Sequence, residues 1–358
     1  MTKQQRYISI WFFTTFLTLL TTSATRAAAP NDGCSCTKVE QLLCPSSAEA
    51  LGCDRKGARA WLRSKVVRDS DLTKYGVRMD DGWENADASK PAIILVHGFN
   101  STPQQNAALM IPIREAGFPC GTFAYPNDYI IQLSAQLLSN DLRHFAQQYP
   151  KRRVILVCHS MGGLVARACL EDSLYDPGNV DRLIMIAPPT HGSMIAHFAV
   201  GTDAWEHWLA RRDGWPWQRA RDSIVDGLGE AASDLCPKSE FLTELNSRPL
   251  NPHIRYSVFL GTGARLSESQ AAWIRESVCD CLAKCPGGDR SAKELDMLLA
   301  DIDELVEGKG DGVVAVKRGR LEGVDDTLIL PFGHIAVTGE PNSQLLHDVQ
   351  RVVLERVQ

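Results

Sequence analysis

The stretch that decides the fold is LVCHSMGG at residues 156–163, where one serine lies between two apolar runs. The run that leads into it, VILV at 154–157, is short and continuously apolar, which is typical of a strand buried on both faces. The run after it, GLVARACL at 163–170, has the pattern of a helix that is just beginning. We therefore expect a strand, a sharp turn at Ser160 and a helix immediately after the turn.

The chain repeats this alternation of strand and helix patterns from residue 90 onward. The predicted strands are Ala92–Val96, Gly121–Tyr125, Val154–Cys158, Arg182–Ala187, Arg255–Leu260 and Thr327–Leu330. The clearest helical patterns are Ile130–Tyr149 and Ser343–Val357, in which apolar residues recur at helical spacing. Strand followed by helix, several times over, predicts an α/β fold with a mostly parallel sheet and helices on both faces.

Length and composition set the class of protein. The chain has 358 residues, of which 44% are hydrophobic and 23% charged, and its net charge is −5. This length accommodates one large α/β domain at 90–358 that carries insertions. A negative chain without a basic patch is a poor partner for nucleic acid, so none is expected.

The first 29 residues have the order of a secretory signal. Lys3 and Arg6 precede an apolar run at 8–20, and small residues at 24 and 27–29 follow it. The run is shorter than the ~20 residues that cross a bilayer, which argues against the alternative of a retained membrane anchor. We expect a signal peptide at 1–29 and a secreted or periplasmic protein.

The cysteines agree with export. They number eleven and stand at 34, 36, 44, 53, 120, 158, 169, 236, 279, 281 and 285. Most form two clusters, which predicts two or more disulfides and a cysteine-stapled N-terminal segment at 30–89. Cys158 and Cys169 are expected to stay reduced and buried. Metal binding is the alternative for the clusters, but neither contains a histidine, so no metal is expected.

Two segments interrupt the alternation and are interpreted as insertions. Residues 191–246 hold four of the eight tryptophans, and residues 267–310 hold the second cysteine cluster. The first insertion follows a predicted strand end, where a cap over the site is expected, with Trp205 and Trp208 as candidate substrate-binding residues. The alternative is that these tryptophans only pack the cap onto the sheet.

The turn at Ser160 imposes a size requirement on its neighbours, because strand and helix nearly touch there. Gly162 meets the requirement two residues after the serine. Cys158, two residues before it, is barely larger than alanine and can occupy the position if its backbone needs no positive φ. An alternative makes Cys158 the nucleophile with His159 as base, but adjacent strand residues point to opposite faces.

A second stretch, VHGFN at 96–100, lies at the end of the first predicted strand, Ala92–Val96. Backbone N–H groups there can approach a developing negative charge closely, because glycine adds no side chain. We expect Phe99 N–H and Met161 N–H to form an oxyanion hole, and Met161 also opens a helix whose positive end favours an anion.

A serine hydroxyl needs a base, and the base needs an orienting acid. Of nine histidines, His334 follows the last predicted strand and precedes the C-terminal helix. Asp311 lies between Ser160 and His334 in a glycine-flanked loop, GDGVV at 310–314. Asp325 and Asp326 are rival acids, although each is explained more simply by a turn before a strand. His97, His159 and His191 are interpreted as structural.

These motifs together, HGFNST, CHSMGGLVAR, IAPPTHGS, SEFLTELN, GDGVV and FGHI, resemble the secreted lipase/esterase branch of the α/β-hydrolase superfamily over residues 90–358. The resemblance implies Ser160 as nucleophile, Asp311 as acid, His334 as base and an oxyanion hole at Phe99 and Met161. It implies no cofactor; some related lipases carry a structural calcium, for which no ligand set is recognisable. Cys158 and the cysteine-rich insertion depart from the usual pattern.

The expected function is hydrolysis of carboxylic esters, with an acyl (lipid-like) ester as the substrate. The expected partners are therefore a small-molecule or lipid ester and transient contact with a lipid interface. Phospholipase or acyltransferase action by the same residues is one alternative. A hydrolase fold that only binds its ligand, without catalysis, is another.

Overall fold

A computed structural model describes residues 75–99, 101–126, 129–194, 228–283, 296, 299–337 and 344–358. Its centre is a seven-stranded sheet. The strands are β1 Gly76–Met79, β2 Ala92–Val96, β3 Cys120–Ala124, β4 Val154–His159, β5 Val180–Ile186, β6 Arg255–Gly261 and β7 Thr327–Leu330. They lie in the order β1-β3-β2-β4-β5-β6-β7, and every pairing is parallel except that of β1 with β3.

Helices alternate with these strands. The α-helices are α1 Ile111–Glu115, α2 Ile131–Gln148, α3 Met161–Leu170, α4 Leu228–Asp234, α5 Glu240–Ser247, α6 Glu268–Ala283, α7 Val316–Gly319 and α8 Gln344–Val357. Short 3-10 helices are formed by Trp83–Asn85, Gln104–Met110 and Asp303–Leu305. The predicted α/β fold is confirmed, and all six predicted strands are present with ends that differ by at most two residues.

The sheet is buried on both faces, which explains why its central strands are continuously apolar. In β2, Ile94 and Val96 pack with α2 and α3 in one core, whereas Ile93 and Leu95 pack with α1 and α8 in the other. Successive strand residues point to opposite faces, so each face receives apolar side chains only if the whole run is apolar. Because the central strands are parallel, their carboxyl ends lie along one edge of the sheet.

Strand β1 was not predicted. It lies in the segment 30–89 that the cysteines mark as a separate N-terminal unit, yet it pairs antiparallel with β3. The strand is four residues long and includes the exposed Arg78, so its apolar signal is weak. Asp141 of α2 accepts a hydrogen bond from Val77 N at 2.7 Å, which ties the edge strand to the helix layer.

Several predictions fall on residues outside the described ranges. These are the signal peptide at 1–29, the cysteines at 34, 36, 44, 53 and 285, and the two tryptophans Trp205 and Trp208. Cys120, Cys158 and Cys169 are described and are buried thiols. Among the helices of the described ranges, none has both the length and the apolar character that crossing a bilayer requires.

The described parts of the two predicted insertions contain helices. In residues 191–246 these are α4 and most of α5, and Ala231, Leu242 and Leu245 from this region are buried in the core that contains α3. In residues 267–310 they are α6 and the 3-10 turn at Asp303–Leu305. The boundaries of both insertions stay predictions.

Candidate active site

Ser160 occupies a strained turn between β4 and α3. Its φ of 53° and ψ of −128° are unusual for a residue with a side chain. The turn is held by two backbone hydrogen bonds, from Ser160 N to Ile186 O at 2.8 Å and from Gly163 N to Ser160 O at 2.9 Å. Strain of this kind persists only where the surrounding structure enforces it, and here it projects the hydroxyl beyond the carboxyl end of β4.

The neighbours of Ser160 show why one position needs glycine and the other does not. A Cβ on Gly162 would lie 2.5 Å from His97 O and 2.6 Å from Val96 O, so no larger residue fits without movement of β2. Cys158 lies in the strand, in register with Val96, and is not among the residues with positive φ. Its burial raises the pKa of the thiol well above the ordinary value, which disfavours the thiolate that the alternative nucleophile requires.

Ser160, His334 and Asp311 form a chain of hydrogen bonds. His334 Nε2 lies 2.9 Å from Ser160 Oγ, and His334 Nδ1 lies 2.8 Å from Asp311 Oδ2. An ionised carboxylate only accepts, so Nδ1 carries the proton and donates to Asp311. In that tautomer Nε2 is an acceptor, and the hydroxyl of Ser160 donates to it.

The loop that carries Asp311 is built to aim one carboxylate oxygen. Asp311 Oδ1 accepts from Val313 N at 2.9 Å and from Val314 N at 2.7 Å, which leaves Oδ2 for His334. The backbone carbonyl of Asp311 also accepts from His334 N at 2.9 Å. The base and the acid are therefore joined through both backbone and side chain, and both are nearly buried.

The rival acids are occupied elsewhere. Asp326 accepts from Ser257 Oγ at 2.6 Å and from Arg356 Nη2 at 2.9 Å, and the hydrogen bond from Arg356 lowers the pKa of the Asp326 carboxyl. Asp325 accepts from Thr327 N through its backbone carbonyl, as expected for a turn before β7. Asp311 is the predicted acid that the structure brings to His334.

The two predicted oxyanion donors flank Ser160. Met161 follows it directly and begins α3. Phe99 follows Gly98, whose added Cβ would lie only 2.9 Å from the Cβ of Ser160, so the backbone after β2 passes close to the serine. The role of these two N–H groups stays a prediction.

The other nearby histidines, His97 and His159, are buried. His97 stacks on Tyr125 at 4.3 Å between ring centroids, and burial lowers the pKa of His97 to about 4. His159 is buried next to His334, with ring centroids 4.8 Å apart, and burial lowers the pKa of His159 well below its ordinary value. Neutral imidazoles in these positions support the interpretation of His97 and His159 as structural.

The sequence analysis missed two residues near this site. Tyr125 donates from its hydroxyl to His97 O at 2.6 Å and so anchors the turn after β2. Glu304 is fully buried, and its backbone carbonyl accepts from Gly312 N at 2.8 Å in the loop of Asp311. A charged residue in an acidic segment carries no signal of burial, so Glu304 could not be identified without the fold.

Comparison with known proteins concerns the fold of the chain. Residues 127–208 match the PGAP1-like alpha/beta domain. Among solved structures, the mature form of the lipase BlEst2 from Bacillus licheniformis has a TM-score of 0.50 and 20% sequence identity, covering 78% of this chain and 97% of its own. The propeptide form has the same TM-score, identity and coverage of this chain, with 53% of its own chain covered. Phospholipase PlaB from Legionella pneumophila has a TM-score of 0.47 and 16% identity, over 75% of this chain and 60% of its own.

The chain has the α/β-hydrolase fold, and it shares its fold with the lipase BlEst2. Ser160 directly follows β4 and His334 follows β7, whereas Asp311 lies in a loop that packs against Gly261 at the end of β6.

Proposed function

We propose that this protein is an exported serine hydrolase that cleaves carboxylic esters through an acyl-enzyme. In this proposal Ser160 is the nucleophile, His334 the base and Asp311 the orienting acid. The observation that carries it is the hydrogen-bond chain from Ser160 Oγ through His334 to Asp311, with distances of 2.9 Å and 2.8 Å. A strained serine turn that serves only packing has no need of an oriented histidine and acid.

The first half of the reaction transfers the acyl group to the serine. Ser160 Oγ attacks the ester carbonyl carbon while His334 Nε2 takes the hydroxyl proton. Asp311 keeps Nδ1 protonated and stabilises the imidazolium that forms. The carbonyl oxygen becomes an oxyanion, which Phe99 N–H and Met161 N–H stabilise in this proposal. The imidazolium then returns its proton to the departing alkoxide, and the alcohol leaves.

The second half restores the enzyme with water. His334 removes a proton from a water molecule, the hydroxide attacks the acyl carbon, and Ser160 Oγ leaves with the proton from the imidazolium. The products are one alcohol and one carboxylic acid, and no redox step or cofactor enters the balance.

The acyl substrate and the location of the protein belong to the same proposal. The signal-like order of residues 1–29 and the clustered cysteines support export, with a cysteine-stapled N-terminal segment at 30–89 in which β1 already joins the sheet. The tryptophan-rich segment at 191–246 supports a cap with an apolar inner face for an acyl chain. Lipid or small-molecule esters are the proposed substrates.

Labelling and turnover test the proposal together. A fluorophosphonate probe is expected to modify the wild type at Ser160, found by peptide mass spectrometry, and to leave Ser160→Ala unmodified. p-Nitrophenyl esters of increasing chain length are expected to be hydrolysed by the wild type alone. A folded wild-type protein without a Ser160 adduct would favour a binding module instead. Trp205→Ala and Trp208→Ala are expected to impair long-chain esters selectively.

A further inference from the structure

A buried ion pair lies behind the loop that carries Asp311. Glu304 is 0% exposed and Arg318 is 7% exposed, and Arg318 Nη1 donates to Glu304 Oε1 at 2.6 Å. Burial raises the pKa of the Glu304 carboxyl, while a hydrogen bond from Met194 N and the charge of Arg318 act in the opposite direction. Neither residue takes part in the proposed reaction.

Glu304 touches the loop of Asp311 through its backbone. Its carbonyl accepts from Gly312 N at 2.8 Å, one residue after the acid. The backbone also packs tightly on Gly310, one residue before the acid, where an added Cβ would lie 2.6 Å from Glu304 Cα. The position of Glu304 therefore determines where both ends of the Asp311 residue lie.

The side chains of the pair join two further segments to this contact. Glu304 Oε1 accepts from Met194 N at 3.1 Å, and the backbone carbonyl of Arg318 accepts from His191 N at 2.7 Å. The guanidinium of Arg318 also donates to Asp301 O at 3.1 and 3.2 Å and pairs with the Asp301 carboxylate. The chain after β5, the turn at 301–305 and α7 are thus held in one arrangement.

Stability alone is a weak explanation for such a pair. Removing two charges from water costs free energy that their attraction often only balances, so apolar residues of the same volume serve packing as well. A bonded charge pair differs in that its hydrogen bonds have defined directions, which specify where the attached backbone lies.

We propose that Glu304, held by Arg318, is a positioning residue that sets the Asp311 carboxylate against His334. This inference rests on the proposed function, because it assigns the pair to the geometry of that reaction. Asp311 Oδ2 must remain within hydrogen-bond distance of His334 Nδ1, and a shift of the loop lengthens this contact while leaving Ser160 in place. The expected effect is on turnover and on the hydrogen bond between Asp311 and His334.

The test compares two buried carboxylates. Glu304→Gln keeps the shape and removes the charge, and it is expected to lower kcat about tenfold or more, because small displacements of catalytic groups are costly. The matched control is Glu171→Gln, which breaks a second buried ion pair, Arg167–Glu171, with side chains 1% and 0% exposed. Glu171 lies eleven residues after Ser160, about 16 Å away along α3, so its loss is expected to lower Tm without changing kcat.

A second readout keeps the test independent of turnover. The low-field proton resonance of a histidine Nδ1–H that is hydrogen-bonded to a carboxylate is expected in the wild type and absent in Asp311→Asn. It is expected to shift or broaden in Glu304→Gln and to be unchanged in Glu171→Gln. If the wild type shows this resonance but no activity, the proposed function fails while the resonance still decides the role of Glu304.

If Glu304→Gln does not fold, Arg318→Lys replaces it, since lysine keeps the charge but loses the forked hydrogen bonds. Reduced kcat and an altered resonance in either variant, below its unfolding temperature, support the positioning role. The positioning role is overturned if the variant keeps wild-type kcat and an unaltered resonance and shows only a lower Tm, as Glu171→Gln is expected to do.

Discussion

Gly162→Ala tests how closely the serine turn depends on the contact between α3 and β2. The new Cβ would lie 2.5 Å from His97 O and 2.6 Å from Val96 O, both backbone atoms that cannot rotate away. Relief of the overlap requires the two segments to separate by roughly 1 Å, since non-bonded carbon and oxygen atoms rest near 3.5 Å. This shift moves Ser160 and Met161 relative to Phe99, and therefore the nucleophile relative to the proposed oxyanion donors.

The magnitude follows from that displacement. A misplacement of about 1 Å in a catalytic arrangement can lower turnover roughly 100-fold. Overpacking of this kind typically costs about 1–3 kcal/mol of stability. We expect both effects, because the movement needed to fit the methyl group is the same movement that disturbs the site.

The assay combines kcat on a short-chain p-nitrophenyl ester, the rate of fluorophosphonate labelling and thermal unfolding. Gly178→Ala is the matched control, because Gly178 has a φ of 73° but no atom within 4 Å of an added Cβ. It is expected to lose stability from the backbone strain alone, with kcat unchanged. Wild-type turnover and labelling in Gly162→Ala would refute the reasoning, since they would mean that the contact with β2 does not set the position of Ser160.

Three further predictions concern the acid, the buried His97 and the cysteines. Asp311→Asn is expected to lower kcat about 10⁴-fold by favouring the wrong tautomer of His334, whereas Asp326→Asn should retain turnover. If Asp326→Asn loses turnover in the same ester assay and Asp311→Asn retains it, Asp311 is not the acid. The pKa of His97 is about 4 in the folded protein and near 6.5 when unfolded, so the unfolded state binds the proton first and stability falls as pH drops from about 6.5 towards 4. Urea unfolding at pH 7 and pH 5 measures the loss of stability between these two pH values. His97→Phe, which keeps a ring against Tyr125, should reduce this loss. An equal loss in the wild type and the variant would mean that His97 is not its source. The clustered cysteines at 34–53 and 279–285 are expected to form disulfides, each of which stabilises the fold by roughly 3 kcal/mol for a loop of ~15 residues. Thiol counting under denaturing, non-reducing conditions measures this. If most of the eleven cysteines are free thiols, the prediction is wrong.

The sequence was sufficient for the α/β fold because its signals are local. A strand buried on both faces is apolar at nearly every residue. Runs such as VILV at 154–157 can therefore be recognised as strands without knowing which strands they pair with. Strand ends lie along one edge of a parallel sheet, which is why Ser160 and His334 could be selected together from sequence. Asp311 was selected because it lies between them in the chain, in a glycine-flanked loop. The weak edge strand β1 was missed because four residues with an exposed arginine carry no such signal.

Only the tertiary structure decided the contacts between residues that are far apart in the chain. In the sequence Asp326 is a rival of Asp311 for the role of the acid. In the structure Asp311 faces His334, whereas Asp326 is bound by Ser257 and Arg356. Glu304 resembles any residue of an acidic surface until the fold buries it against Arg318. Hydrogen-bond geometry and burial depend on packing across the whole chain, and local sequence patterns carry no information about distances of that kind.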